Sequence, residues 1–218
     1  EILAALEGRF REMLEIQKGL TAATVHVEER RAGGQWDRPQ RLIVASLSKE
    51  ERALGDMAQQ ALVIIIEDGT TVVFPRIVER LRDDLFAVSD LLRDEHTDDY
   101  THHLQKEIEL TLEELIEALQ KAQEQAQQQQ SQQQQQQNQQ QQQPLVPESA
   151  ELKLLRAAQL RVNRLTKSFD KSRPKDAPLD PAKQREVENI ARRQHDVADM
   201  AEDIIEGYYS PANIQPLD

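Results

Sequence analysis

Apolar residues in this chain recur at alternating steps of three and four in six separate stretches, a spacing that lines each set along one side of an α-helix. In the first stretch Leu3, Leu6, Phe10, Met13, Gln17, Leu20, Thr24 and Val27 share one stripe. Its two polar members, Gln17 and Thr24, read as tolerated positions at a bundle margin, with selection of register or partner as the alternative. Gly33 and Gly34 end the pattern. Trp36, Asp37 and Pro39 then make a turn in which Trp36 covers a helix end or, alternatively, anchors a partner.

The second stripe is Ile43, Leu47, Leu54, Met57, Ala61 and Ile64, interrupted by Glu50, and its helix should pair with the first. Ser48 and Glu51 have capping-box spacing and offer a later start, but one continuous helix is the preferred reading. Between Leu62 and Phe74 an Asp-Gly flanked by β-branched residues also fits a hairpin. A lone hairpin would have no sheet to join, and Gly69 and Pro75 suit a helix end followed by a first-turn proline, so helix, loop, helix is expected. The third helix runs from near Pro75 to Leu92 and buries Ile77, Val78, Leu81, Leu85, Val88 and Leu92. The fourth, with Thr97 as N-cap ahead of Asp98 and Asp99, buries Leu104, Ile108, Leu112, Leu115, Leu119 and Ala122.

That fourth helix leads without a breaker into Gln127–Gln143, which is glutamine throughout except Ser131 and Asn138. Glutamine has good helix propensity, so the tract either prolongs the helix as a solvated rod as far as Pro144 or forms a low-complexity linker. Beyond it, Leu152, Leu155, Gln159, Val162, Leu165 and Phe169 mark a fifth helix. Asp180 and Pro181 start a sixth that carries Val187, Ile190, Gln194, Val197, Ala201, Ile204 and Tyr208. The expected fold is all-α: an elongated antiparallel helical bundle or coiled coil of about six helices. Its parts are a four-helix block at 1–126, the extension or linker at 127–143, and an αα-hairpin at 144–218 that packs back on the fourth helix.

Composition agrees, with 30% charged and 4% aromatic residues, the mixture of extended helices. A net charge of −12 argues against nonspecific binding of nucleic acid by the whole molecule. The absence of cysteine excludes disulfides, thiolate metal sites and a cysteine nucleophile. No window approaches the run of apolar residues that a membrane span needs. The chain begins at Glu1 without a methionine, as a piece of a longer protein would.

Charge is unevenly spread. From Leu152 to Lys175 eight basic residues face only Asp170, whereas six acidic residues and no basic ones lie from Asp196 onward. The basic helix is expected to dock beside acidic neighbours. Arg156, Arg161, Arg164, Lys167 and Lys171 are the alternative: an anion-binding or nucleic-acid-binding face, although aromatic interleaving and a DNA-binding motif are missing. For metal chemistry, no histidine completes the Glu-x-x-His pattern of a di-iron bundle. Asp99, His102, His103 and Glu107 could share a metal at the start of the fourth helix, with solvated surface residues as the plainer reading. No zinc-protease, phosphate-loop or nucleophile-elbow motif is present, so no cofactor is expected.

The stretch from Glu67 to Pro75, followed by a helix rich in Arg and Asp, and the stretch from Glu151 to Asn163 resemble segments of uncharacterised α-helical coiled-coil proteins of planctomycete-type bacteria. The resemblance implies a bacterial coiled-coil protein, exported or envelope-associated, and brings no activity or catalytic residue with it. The functional expectation is a non-enzymatic scaffold that binds a protein partner or itself through helix faces. An anion or nucleic-acid binder using residues 152–175 and a metal-dependent enzyme at the start of the fourth helix are the alternatives.

Overall fold

The computed structural model describes residues 2–31, 36–133, 144–173 and 178–208. They form an all-α bundle of six helices: α1 (Ile2–Glu29), α2 (Arg38–Asp68), α3 (Val73–Arg93), α4 (Asp99–Gln133), α5 (Glu148–Ser172) and α6 (Pro181–Tyr208). Among the described residues there is no strand. Contacts join α2 to α3 and α3 to α6 in one layer, and α1 to α4 and α4 to α5 in the other. Across the layers α1 meets α2, α3 meets α4 and α5 meets α6, so two four-helix bundles share the α3–α4 pair. Consecutive helices are antiparallel, as are α1 with α4 and α3 with α6, while α3 and α5 also touch and run parallel from the Glu151 contact onward. Gln17 on α1 meets Glu51 on α2, Ser48 on α2 meets Ser89 on α3, and Arg164 on α5 meets Glu107 on α4.

Helix ends follow local chemistry, with one exception that is not local. At the start of α2, the Asp37 carboxylate accepts from the Gln40 backbone N–H and the Gln40 side chain accepts from the Asp37 N–H, a reciprocal capping box. Gly69 ends α2 at φ 67°, the left-handed region a side chain would strain. That cap realises helix, loop, helix between 62 and 74 in place of the hairpin. The Ser48–Glu51 box is not used: α2 is continuous through it, and the Ser48 hydroxyl donates to the Ser89 carbonyl at 2.8 Å. The expected Thr97 cap is corrected. The Asp98 carboxylate receives the Tyr100 and Thr101 N–H groups, while buried Thr97 turns its hydroxyl to Glu28. Asp180 caps α6 as the sequence suggests, accepting from the Lys183 N–H at 2.8 Å.

The start of α3 has no cap of its own, because Val72 offers no acceptor. Glu151, from the first turn of α5, supplies it: one carboxylate oxygen accepts from the Val72, Val73 and Phe74 N–H groups at 2.9, 2.9 and 3.1 Å. These are the orphan donors of a helix N-terminus, where negative charge is favoured. Glu151→Ala is therefore expected to lower the unfolding free energy by about 2 kcal/mol, since buried donors lose their acceptor. Glu151→Gln, which keeps an acceptor without the charge, should cost less. Urea unfolding followed by circular dichroism distinguishes the two, and equal losses from both would remove the charge–dipole part of the account.

The core runs without a break from Leu6 to Met200, so the α5–α6 hairpin is part of the same apolar interior as α1–α4. The stripes read from the sequence match on α3 and α4, where every named apolar residue is buried. On α1, Gln17 and Thr24 are fully buried and do not sit at a margin. On α2 Leu47, Leu54 and Ala61 are buried as the stripe places them, while its other three positions, Ile43, Met57 and Ile64, are displaced by one residue. Val44, Leu47, Glu51, Leu54, Ala58, Ala61 and Ile65 face inward, while Ile43 is 49% exposed and Glu50 lies outside. Gly55 lets α3 come close, since a Cβ there would collide with the Phe86 ring. On α5, Leu154, Ala158 and Arg161 are buried, whereas Leu152 is exposed and Leu155 and Gln159 are half-buried. On α6 Val197 is buried, Ile190, Ala201 and Ile204 are half-buried, and Gln194 is exposed.

Helix α4 continues through Gln133, so the first part of the glutamine tract is helical. Glu7 of α1 accepts from Gln120 and Gln123, which sets the beginning of α1 beside the stretch of α4 just ahead of the tract. The rod-or-linker alternative for residues 134–143 lies outside the described residues.

Candidate interaction surface

The basic residues of α5 divide into two sets. Arg161, whose side chain is 8% exposed, pairs with Glu114 of α4. Burial raises the Glu114 pKa, and the Arg161 charge opposes that rise. Arg164 forks onto Glu107, Nε to Oε1 at 3.1 Å and Nη2 to Oε2 at 2.9 Å. These two residues hold α5 on α4, as the docking reading anticipates. Arg156, Lys167 and Lys171 remain exposed, without a carboxylate partner among the described residues. They give a thinner basic face than the sequence suggests.

At the start of α4, Asp99 is exposed, His102 and His103 are half-buried, and Glu107 is buried with both oxygens taken by Arg164. The His103 Nε2 is buried without a hydrogen-bond partner. Among the described residues no three His, Asp or Glu side chains are grouped to hold a metal ion.

Two charged constellations were not legible in the sequence. Between α3 and α6, Arg193 forks onto Asp84 at 2.9 and 2.5 Å. Arg80 donates to Asn189 at 3.0 Å and lies 3.5 Å from Asp196, and Arg76 reaches Asp203 at 2.6 Å. Burial and the neighbouring Arg193 lower the Arg80 pKa. A cavity of about 170 Å³ opens beside these groups over Ile77, Leu81, Val162 and Met200. Its cations are matched by carboxylates, so its chemistry is that of a seam between helices.

The second constellation lies inside α1, α2 and α4. The Glu51 carboxyl is fully buried; its Oε1 accepts from Gln17 Nε2 at 3.0 Å and from Gln105 Nε2 at 2.7 Å, and Gln105 also donates to Thr24 at 3.1 Å. Glu51 Oε2, Gln17 Oε1 and Gln105 Oε1 have no donor. Burial raises the Glu51 pKa to about 7 against the pull of the two amides. A carboxylate here would be an uncompensated charge in an apolar core, whereas a carboxylic acid can donate to one of the orphaned amide oxygens.

On the outside, the groove between the first half of α2 and the end of α3 has a volume of about 530 Å³. Val44, Ala45 and Leu92 line it together with Arg38, Arg41, Lys49, Arg52 and Arg93; Glu95 is its one acid. Arg38 and Lys49 make no ion pair among the described residues, and Arg52 lies over the Phe86 ring at 5.4 Å. Leu42 at its edge is 65% exposed. The basic positions 38, 41, 49 and 52 sit on one side of α2, a pattern open to inspection in the sequence but overshadowed by the denser charge of α5. No family model, curated protein or solved structure matches the chain. Among the described residues no helix is long and apolar enough to cross a membrane.

Proposed function

We propose that the chain is a non-catalytic, structural protein-interaction module that binds through its outer helix faces in the manner of coiled-coil scaffolds. The observation that carries this reading is the exposure of large apolar side chains outside one continuous core, greatest on α2 with Leu42 65% and Ile66 60% exposed. Exposed apolar positions flanked by charge are what a partner helix packs against. The acids and bases that might otherwise suggest chemistry are used between helices: Glu107 by Arg164, Asp84 by Arg193, and Glu151 by the start of α3. The test is affinity capture from an extract of the source cells, comparing the wild type with a Leu42→Glu, Ile66→Glu variant of unchanged helix content. Loss of specific retained proteins from the variant is expected. The same retained proteins on both, or none on either, would overturn the reading.

A further inference from the structure

Besides Arg156, Lys167 and Lys171 on α5, two further sets of exposed charge make no ion pair among the described residues. One is Arg38, Lys49 and Arg52 on the outer side of α2. The other is Glu202 and Glu206 on the outer side of α6, which make no ion pair among the described residues and flank Ile205, itself 54% exposed. Both belong to the α2–α3–α6 layer but to opposite ends of it. The Ser48–Ser89 contact ties the basic part of α2 to the end of α3, whereas the Arg76–Asp203 pair ties the acidic part of α6 to its beginning. From residue 76 to residue 89 a helix advances about 20 Å, and two interhelical spacings of roughly 8–10 Å each separate α2 from α6. That separation is well beyond the Debye length of about 8 Å at physiological ionic strength, so the patches cannot neutralise each other inside one molecule.

We infer that the α2–α3 groove docks the acidic end of α6 from a second copy of this chain. A two-fold axis between the patches pairs the basic patch of each copy with the acidic patch of the other, so that a single arrangement satisfies both sets twice and closes as a dimer. Leu42 and Ile205 give each contact an apolar side chain beside its charges. A nucleic acid or an anionic membrane meets the same overall repulsion from a chain of net charge −12 that a second copy does, but would pair only the basic patch and leave Glu202 and Glu206 unmatched. This assignment rests on the interaction-module reading and narrows it to one partner.

Sedimentation of the purified full chain over a range of concentrations tests it, in low salt and in about 0.5 M salt, where exposed charge pairs are screened. The wild type should dimerise in low salt and dissociate in high salt. Lys49→Glu with Arg52→Glu, and separately Glu202→Lys with Glu206→Lys, should each weaken self-association by about a hundredfold or more, through like-charge contact. Mixed one to one, the two variants should associate again, because each then carries the complement of the other at both contacts. A wild type that stays monomeric in low salt overturns the dimer, while the capture experiment still decides the module. Self-association that neither reversal disturbs, or that the mixture does not restore, places the contact elsewhere and also overturns the inference.

Discussion

Replacing Glu51 by glutamine is expected to stabilise the protein by about 3 kcal/mol at pH 8 and to change it little at pH 5. Unfolded, the Glu51 carboxyl releases its proton around the ordinary value of 4.5, and in the bundle it does so around 7. Between those values the folded state holds a proton that the unfolded chain has given up. Raising the pH through this window therefore removes stability, and above 7 the whole loss is in place. Glutamine keeps the shape and the acceptor for Gln17 and Gln105, cannot ionise, and adds an N–H₂ that can serve the orphaned amide oxygens. Urea unfolding of both proteins at pH 5 and pH 8 reads the effect directly. A variant no more stable than the wild type at pH 8 would show that the buried carboxyl carries no such penalty.

The same residue explains why α2 was legible as a helix but only in part as a face. A hydrophobic period treats a glutamate as a surface residue, so the sequence places the break at Glu50 and turns Ile43, Met57 and Ile64 inward. What brings Glu51 into the core is a pair of amides on α1 and α4, 34 and 54 residues away. No local pattern contains that information. The first half of α5 fails to match for a related reason: Glu151 is committed to the N–H groups at the start of α3, which have no partner within that helix, and this turns Leu154 and Ala158 inward in place of Leu152. On α3 and α4 the named stripes hold no polar side chain with a distant partner, and the period alone finds the buried side. Docking of α5 on α4 was likewise visible in bulk charge, because opposite excesses on two helices need no exact pairing to be noticed. The α3–α6 seam was not, since Asp84 and Arg193 lie 109 residues apart on helices whose adjacency follows only from the layered arrangement.

Removing one member of the Asp84–Arg193 pair is expected to cost about 3–5 kcal/mol, the range for leaving a buried charge without its partner. The Asp84 and Arg193 side chains are 12% and 8% exposed, so water does little to compensate whichever charge remains. In Arg193→Met the Asp84 carboxylate is left with Arg80 alone, whose nearest atom is 3.7 Å away and whose guanidinium is already shared with Asn189 and Asp196. In Asp84→Ala, Arg193 sits against Arg80 with no carboxylate between them, and the repulsion that already depresses the Arg80 pKa is unopposed from that side. The double variant Asp84→Ala, Arg193→Met removes both charges and should recover most of the loss, because the net value of such a pair is far smaller than the penalty for breaking it. Urea unfolding of the four proteins measures that coupling, and hydrogen exchange should show α6 amides losing protection before those of α1, since the pair joins α6 to α3. Single variants that each cost less than about 1 kcal/mol, in the range of surface pairs, would mean that α6 is held by its apolar contacts with α5 and the seam is incidental to the fold.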